Sequence, residues 1–234
     1  MPFIALGVPE SSATRPVDED IFSHMRKKMV EEQIRARGIA DERVLKAMEE
    51  VPRHQFVPTV EKLFAYSDGP LPIGHSQTIS QPYVVALMTE LLQLRPEDKV
   101  FEVGTGSGYQ AAVLAGIASE VYTIEIVQPL YEEAKARLQK LGYQNIRVGL
   151  GDGTKGWPEA APFDKMIVTA AGVKIPESLI DQLKDGGRIV MPVGEKDQVL
   201  VVGVKQGGAL ETFESIPVRF VPLVEGKDKE RDNG

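Results

Sequence analysis

The sequence predicts an α/β fold built on a largely parallel sheet covered on both faces by helices, and three observations carry that prediction. Beyond Lys99, short apolar runs alternate with helix-forming segments, the pattern of parallel strands joined by crossovers. The first of those runs breaks into glycine at alternate positions, Gly104, Gly106 and Gly108, before turning helix-friendly. The last two apolar runs are split by Gly207-Gly208, the signal of an antiparallel hairpin rather than a further crossover.

Residues 1–19 mix Pro, Ser, Thr and Asp without periodicity, so a loose N-terminal extension is expected there. From Asp20 the spacing turns helical, with Ile21, Met25, Met29 and Ile34 on roughly one face and Gly38 as the stop. A second helix follows Asp41 as its cap, and Pro52 and Pro58 then break the pattern. Irregular chain is expected from there through "SDGPLPIGHSQTISQP", whose glycines, prolines, hydroxyls and imidazole suit a substrate-facing loop. A helix, "YVVALMTELLQL", closes this third of the chain. Strands are expected at 100–103, 121–126, 146–150, 165–169 and 188–192, with helices after Gly108, Pro129 and Pro176. The domain so defined spans 20–224, leaving a polar tail over 225–234.

Bulk composition removes several function classes. A net charge of −7 without clustered Lys or Arg disfavours a nucleic-acid surface. The absence of cysteine rules out disulfides, thiolate catalysis and Cys-based metal sites, and three scattered histidines make a poor transition-metal site. The apolar patch near Met1 lacks a preceding basic region, no apolar run approaches a membrane span, and a cytoplasmic location is the expectation.

The glycine-rich turn between a strand and a helix presents free N–H groups and a positive dipole end to a ligand. A dinucleotide fingerprint needs a third glycine where this chain has Tyr109, so the loop reads G-x-G-x-G, with Glu102 two residues before it. Glu125 ends the next expected strand at about the distance where an acid accepts hydrogen bonds from ribose hydroxyls, and Asp152-Gly153 ends the one after. Each element also has an ordinary geometric explanation. Their order and spacing together favour a nucleoside site.

"VFEVGTGSGY", Glu125 and "GDG" resemble the cofactor motifs of class I S-adenosylmethionine-dependent methyltransferases. "PLPIGHSQTISQP", "VTAAGVKIPESLIDQLKDGGRIVMPVG" and "VRFVPL" narrow the resemblance to the protein-L-isoaspartate O-methyltransferases, over roughly residues 25–224. That resemblance implies a Rossmann-like doubly wound sheet of about seven strands, mostly parallel with an antiparallel end, preceded by N-terminal helices. It implies S-adenosylmethionine as cofactor, held by Glu102, Gly104, Thr105, Gly106, Ser107, Gly108, Glu125, Ile126, Asp152 and Gly153. Thr78, Ile79 and Ser80 would cover the cofactor and meet the substrate, Ser80 being the family's active-site position, while Val221 and Pro222 would border the peptide groove. The implied partners are damaged, isoaspartyl-containing proteins and peptides, repaired toward aspartate through an ester and a succinimide. The family often has Gly where this chain has Ser76.

An isoaspartyl linkage frees an α-carboxylate that is ionised at neutral pH, so the nucleophile needs no base and no triad is required. Ser80, His75 and Asp68 make a weak triad, since no G-x-S-x-G elbow surrounds Ser80. Ser80 before Gln81-Pro82 could instead cap the following helix. Trp157 could stack on a base, although packing beneath a loop is the commoner use of such a residue. The alternatives are a class I methyltransferase acting on a small molecule or RNA, a nicotinamide-dependent oxidoreductase, and a cofactor-binding protein without turnover.

Overall fold

A computed structural model describes residues 17–226, so most of the expected extension over 1–19 and tail over 225–234 lies outside the described residues. Helix α1 (Val17–Met29) runs into a single π-turn at Val30–Ile34, and the chain stops at Gly38 with φ +96°. That wider turn absorbs the five-residue step from Met29 to Ile34, and both side chains are buried. Ile21 does not share their face, being 52% exposed. Asp41 caps α2 (Glu42–Glu50) as expected, accepting the Arg43 N–H at 2.9 Å.

The stretch after Pro52 is more ordered than its composition suggests. Two 3₁₀ turns, Arg53–Gln55 and Thr59–Phe64, lead to a hairpin of β1 (Leu71–Gly74) and β2 (Gln77–Ile79). His75 and Ser76 make its turn with φ of +52° and +57°, the primed geometry that matches strand twist and usually falls to Asn-Gly. Helix α3 (Pro82–Leu92) starts from Gln81 with Pro82 in its first turn and no side-chain cap, so Ser80 is not a capping residue.

Seven strands form the main sheet: β3 (Lys99–Val103), β4 (Glu120–Glu125), β5 (Ile146–Leu150), β6 (Phe163–Val168), β7 (Leu183–Val193), β8 (Gln198–Gln206) and β9 (Ala209–Val218). Their spatial order is β5-β4-β3-β6-β7-β8-β9, parallel through β7 and antiparallel beyond it. Helices α4 (Tyr109–Ala115), α5 (Gln128–Lys140) and α6 (Glu177–Gln182) lie in the crossovers. The chain winds outward from β3 to β5 and resumes at β6 on the other side of β3. This makes the β3/β6 boundary a topological switch point, where sheets of this class open a ligand crevice at the carboxyl ends of the strands.

Both faces of the central parallel strands are buried, as such strands require. Val100 and Val121 pack with Leu114, Ile34 and Tyr109 on one side, and Phe101, Phe163, Met166 and Leu179 form the core on the other. Trp157 belongs to this second side. Its indole meets Tyr122 edge-on at 5.4 Å and covers Gly149, where a Cβ would come within 2.7 Å of the ring. It is a packing residue.

Candidate active site at the carboxyl edge of the sheet

The glycine loop leaves β3 pinned to β4 by the Gly104 N–H, which donates to the Ile124 carbonyl at 2.9 Å. Gly104 has φ +96°, and a Cβ there would stand 2.5 Å from Thr169 Oγ1, so only glycine fits this corner of the switch point. Thr169, one residue past β6, lies with its hydroxyl 2.8 Å from the Gly104 carbonyl. The buried Thr105 hydroxyl is 2.7 Å from that of Thr123, and Arg137 of α5 donates to the Ser107 carbonyl at 2.8 Å. Gly108, at φ +87°, then turns the chain into α4.

Glu125 faces this loop from the end of β4. Its Oε2 accepts the Gly106 N–H at 2.8 Å, and Oε1 accepts those of Ile126 and Val127 at 2.9 Å each, which fixes the carboxylate without any cation. Asp152 caps the turn Gly153–Lys155 by accepting the Thr154 N–H at 2.9 Å, while its other oxygen accepts the Gly226 N–H at 3.0 Å. Gly153 sits against Val103 and Ile124, leaving no room for a side chain.

These elements enclose a cavity of about 90 Å³, lined by Thr78, Gly104, Gly106, Glu125, Ile126 and Gly153 among others and roofed by residues 221–224. The roof is tied down where Val221 and Leu223 exchange hydrogen bonds with Ala171, both at 2.8 Å. A second hollow, a groove of about 740 Å³, runs past Arg37, Thr78, Ser80, Tyr83, Phe220 and Val221. The two share Thr78, Thr169 and Val221.

Of the residues singled out from sequence, Thr78 and Val221 therefore touch both hollows, Ser80 the groove, and Pro222 the cavity. Ile79, Thr105, Ser107 and Gly108 are buried and line neither hollow. Asp152 lines a neighbouring cleft on the far side of Pro222 and Leu223. No triad assembles: the nearest acid to His75 Nε2 is Glu133 at 3.8 Å, whereas Asp68 pairs with Arg37 at 3.2 Å and with Gln81 at 2.7 Å.

Glu102 lies wholly buried beneath the loop, and neither carboxyl oxygen has a hydrogen-bond partner. Burial pushes its pKa up to about 8, and the negative charge of Glu125 adds to the rise. Glu102 is thus mostly protonated at neutral pH, which leaves Glu125 as the carboxylate facing the loop.

Three further residues shape the site that sequence reasoning did not single out. Thr169 lines both hollows, and its place at the end of an expected strand on the ligand-binding edge was the available signal. Arg37 lines the groove with its guanidinium 3.5 Å from the centre of the Tyr83 ring. Arg53, between a proline and a histidine, looks in sequence like an ordinary exposed cation and is completely buried.

The donor set fits a nucleoside with a sulfur-bearing chain. A fixed carboxylate accepts from vicinal hydroxyls, and the flush glycine backbone permits close approach. Small-molecule sites usually measure ~300–1,000 Å³, so the cavity as it stands is smaller than such a site. No helix among the described residues is long and apolar enough to cross a membrane, and no group of His, Asp and Glu side chains among them could hold a metal ion.

The family model described as protein-L-isoaspartate(D-aspartate) O-methyltransferase (PCMT) matches residues 24–228. A protein-L-isoaspartate O-methyltransferase 1 of Nitrosospira multiformis is 55% identical over 213 residues, covering 89% of this chain and 90% of that one. Among solved structures, a protein-L-isoaspartate O-methyltransferase superposes with a TM-score of 0.77 at 30% identity, over 84% of this chain and 65% of that one. A Plasmodium falciparum chain described as a beta-aspartate methyltransferase in complex with S-adenosyl-L-homocysteine gives a TM-score of 0.74 at 26% identity, over 86% of this chain and 99% of that one. The sheet with its switch point, the glycine loop facing Glu125 and these matches agree, and the chain belongs to the protein-L-isoaspartate(D-aspartate) O-methyltransferase family.

Proposed function

We infer that this protein transfers the methyl group of S-adenosylmethionine to the free α-carboxylate of L-isoaspartyl residues in damaged proteins and peptides, the first step of their repair to aspartate. The observation that carries the site reading is the meeting of the two hollows. The glycine-loop cavity and the groove share Thr78, Thr169 and Val221 in their walls, so a donor on one side and an extended chain on the other would come to the same three residues.

S-adenosylmethionine, when bound, supplies a methyl group activated by a sulfonium. Glu125 is placed to accept hydrogen bonds from its ribose, in exchange for the Gly106 N–H it now holds. Gly104 and Gly106 let the backbone lie against the remainder of the ligand. The acceptor carboxylate has a reference pKa of ~3.3–3.7 and arrives ionised, so no residue has to remove a proton. The task left to the protein is alignment, which can supply as much as about 7–11 kcal/mol in favourable cases. Ser80 and Thr78 stand where hydroxyl or backbone groups can orient that carboxylate, and Val221 borders the same point. Residues 221–224 cover the cavity side of that point, where a bound ligand would be shielded from water.

The partners are flexible or unfolded chains that can lay an isoaspartyl segment along the groove. An RNA substrate suits the net charge of −7 poorly. Matched peptides differing only in isoaspartate or aspartate at one position, incubated with methyl-labelled cofactor, test the reading. Base-labile label in the isoaspartyl peptide alone supports it; equal labelling of both, or of neither, overturns it.

A further inference from the structure

Arg53 is fully withdrawn from solvent, yet no carboxylate among the described residues neutralises it. Its Nε donates to the Ala65 carbonyl at 2.7 Å, Nη2 donates to the Ser80 carbonyl at 2.8 Å, and Nη1 has no hydrogen-bond partner. The guanidinium carbon lies 4.8 Å from the centre of the Tyr109 ring. Burial lowers its pKa to about 10 against the opposing influence of the Tyr109 phenol, so it remains a cation at neutral pH. A buried cation held only by carbonyls and a ring face is costly, and an apolar side chain of similar size would fill the space without that cost. Core packing alone does not account for it.

The identity of its partners does. Ser80 closes the segment that carries Thr78 into the groove, and Tyr109 is the first residue of α4, directly after Gly108 of the glycine loop. We propose that Arg53 is a positioning residue for methyl transfer, its guanidinium tying the acceptor-side segment at Ser80 to the helix that continues the glycine loop. One planar group spans both, so the two sides of the junction keep a fixed spacing. Lysine cannot do this, because a single ammonium lacks the planar fork that donates to the Ala65 and Ser80 carbonyls from separate nitrogens. The inference rests on the proposed placement of the acceptor beside Ser80.

The turn that bears Arg53 has supports of its own. His54 Nδ1 lies 2.8 Å from the Tyr66 hydroxyl, and its ring stacks on Phe22 at 4.1 Å. Replacement of Arg53 by lysine is therefore expected to leave the fold in place and to loosen the junction.

The test is a four-protein cycle of wild type, Arg53→Lys, Ser80→Ala and the double variant. Each is assayed for kcat and KM with an isoaspartyl peptide and for S-adenosylhomocysteine affinity by calorimetry. R53K is expected to lower kcat by roughly ten- to a hundredfold, the range that loss of near-attack alignment produces, with cofactor affinity changed less than about threefold. The double variant is expected to match S80A in kcat within about threefold, since Arg53 acts by placing the Ser80 hydroxyl, which S80A removes while leaving the carbonyl that Arg53 contacts. Where both single variants are slow, effects that multiply independently overturn the proposal, as does an R53K loss confined to cofactor affinity. If S80A keeps wild-type kcat while R53K is slow with normal cofactor affinity, the role given to the Ser80 hydroxyl fails and the positioning role of Arg53 stands on the backbone of that segment.

Should R53K not fold, the wild-type Arg53 Nε–H resonance decides. Its nitrogen shift is expected to move on binding S-adenosylhomocysteine and again on adding peptide. Indifference to both ligands overturns the proposal.

Discussion

Replacing Glu102 by glutamine should change the pH dependence of stability more than stability itself. Glu102 is buried, unpartnered and raised from an ordinary 4.5 to about 8. Below the unfolded value both states hold the proton, and the residue adds no pH dependence. Between the two values the folded state keeps a proton that the unfolded state has released, so wild-type stability falls as pH rises, by about 1.4 kcal/mol per unit. Above the folded value both states are ionised and the loss levels off. By pH 7 the accumulated loss is about 3 kcal/mol.

Glutamine does not titrate. Its buried amide carries a desolvation cost of about 1–3 kcal/mol, but that cost is the same at every pH. The quantity to measure is therefore the difference in unfolding free energy between E102Q and wild type, from urea titrations at about pH 5, 6, 7 and 8 at constant ionic strength. The difference should rise in favour of E102Q by up to about 1.4 kcal/mol per unit between pH 5 and 7, and by less from pH 7 to 8 as the folded state begins to ionise. A flat difference would mean that the carboxyl is ionised inside the fold, and the account of the ground beneath the glycine loop would be wrong.

Three other substitutions probe separate statements. Gly104→Ala places a Cβ 2.5 Å from Thr169 Oγ1 at φ +96°, so it should cost ~1–3 kcal/mol of stability and at least about tenfold in S-adenosylhomocysteine affinity, with Thr169→Ala in the same chain restoring part of both. Calorimetry showing wild-type affinity for G104A would contradict the close approach. Ser76→Gly relieves a left-handed residue in the β1–β2 turn and should raise stability by about 0.5–1 kcal/mol in urea titration, whereas an unchanged or lower value would deny the strain. Trp157→Ala removes an indole packed on Tyr122 and over Gly149, and should lower stability by about 2–4 kcal/mol while leaving cofactor affinity untouched. A tenfold affinity loss at constant fold would place the ring on the ligand instead.

The parallel half of the fold was legible because each strand there is a short apolar run with its own breaker. Ile146–Leu150 matches the expected bounds, and the strands around Val100 and Val121 begin one residue earlier than expected. The strand expected at 188–192 is longer than its apolar run. It begins at Leu183, pairing with Phe163 across an irregularity in register that accommodates the glycines. The β1–β2 hairpin escaped notice because His-Ser occupies a turn whose usual residues are Asn-Gly, and because Pro70 and Pro72 read as loop. At the site, glycine spacing and Glu125 were readable since backbone approach and ribose contact demand those residue types at that separation. Arg53 was not, for its role depends on contacts with Ser80 and Tyr109, 27 and 56 positions away along the chain, and local sequence carries no trace of such contacts.

The most direct measurement is a crystal structure of the protein with S-adenosylhomocysteine and an isoaspartyl peptide. The ribose hydroxyls should lie within hydrogen-bond distance of Glu125, with the Gly106 N–H released from it, and the peptide carboxylate should enter beside Thr78 and Ser80. A nucleoside bound away from Glu125, or a peptide carboxylate reaching the sulfur by a path that bypasses Thr78 and Ser80, would contradict the account.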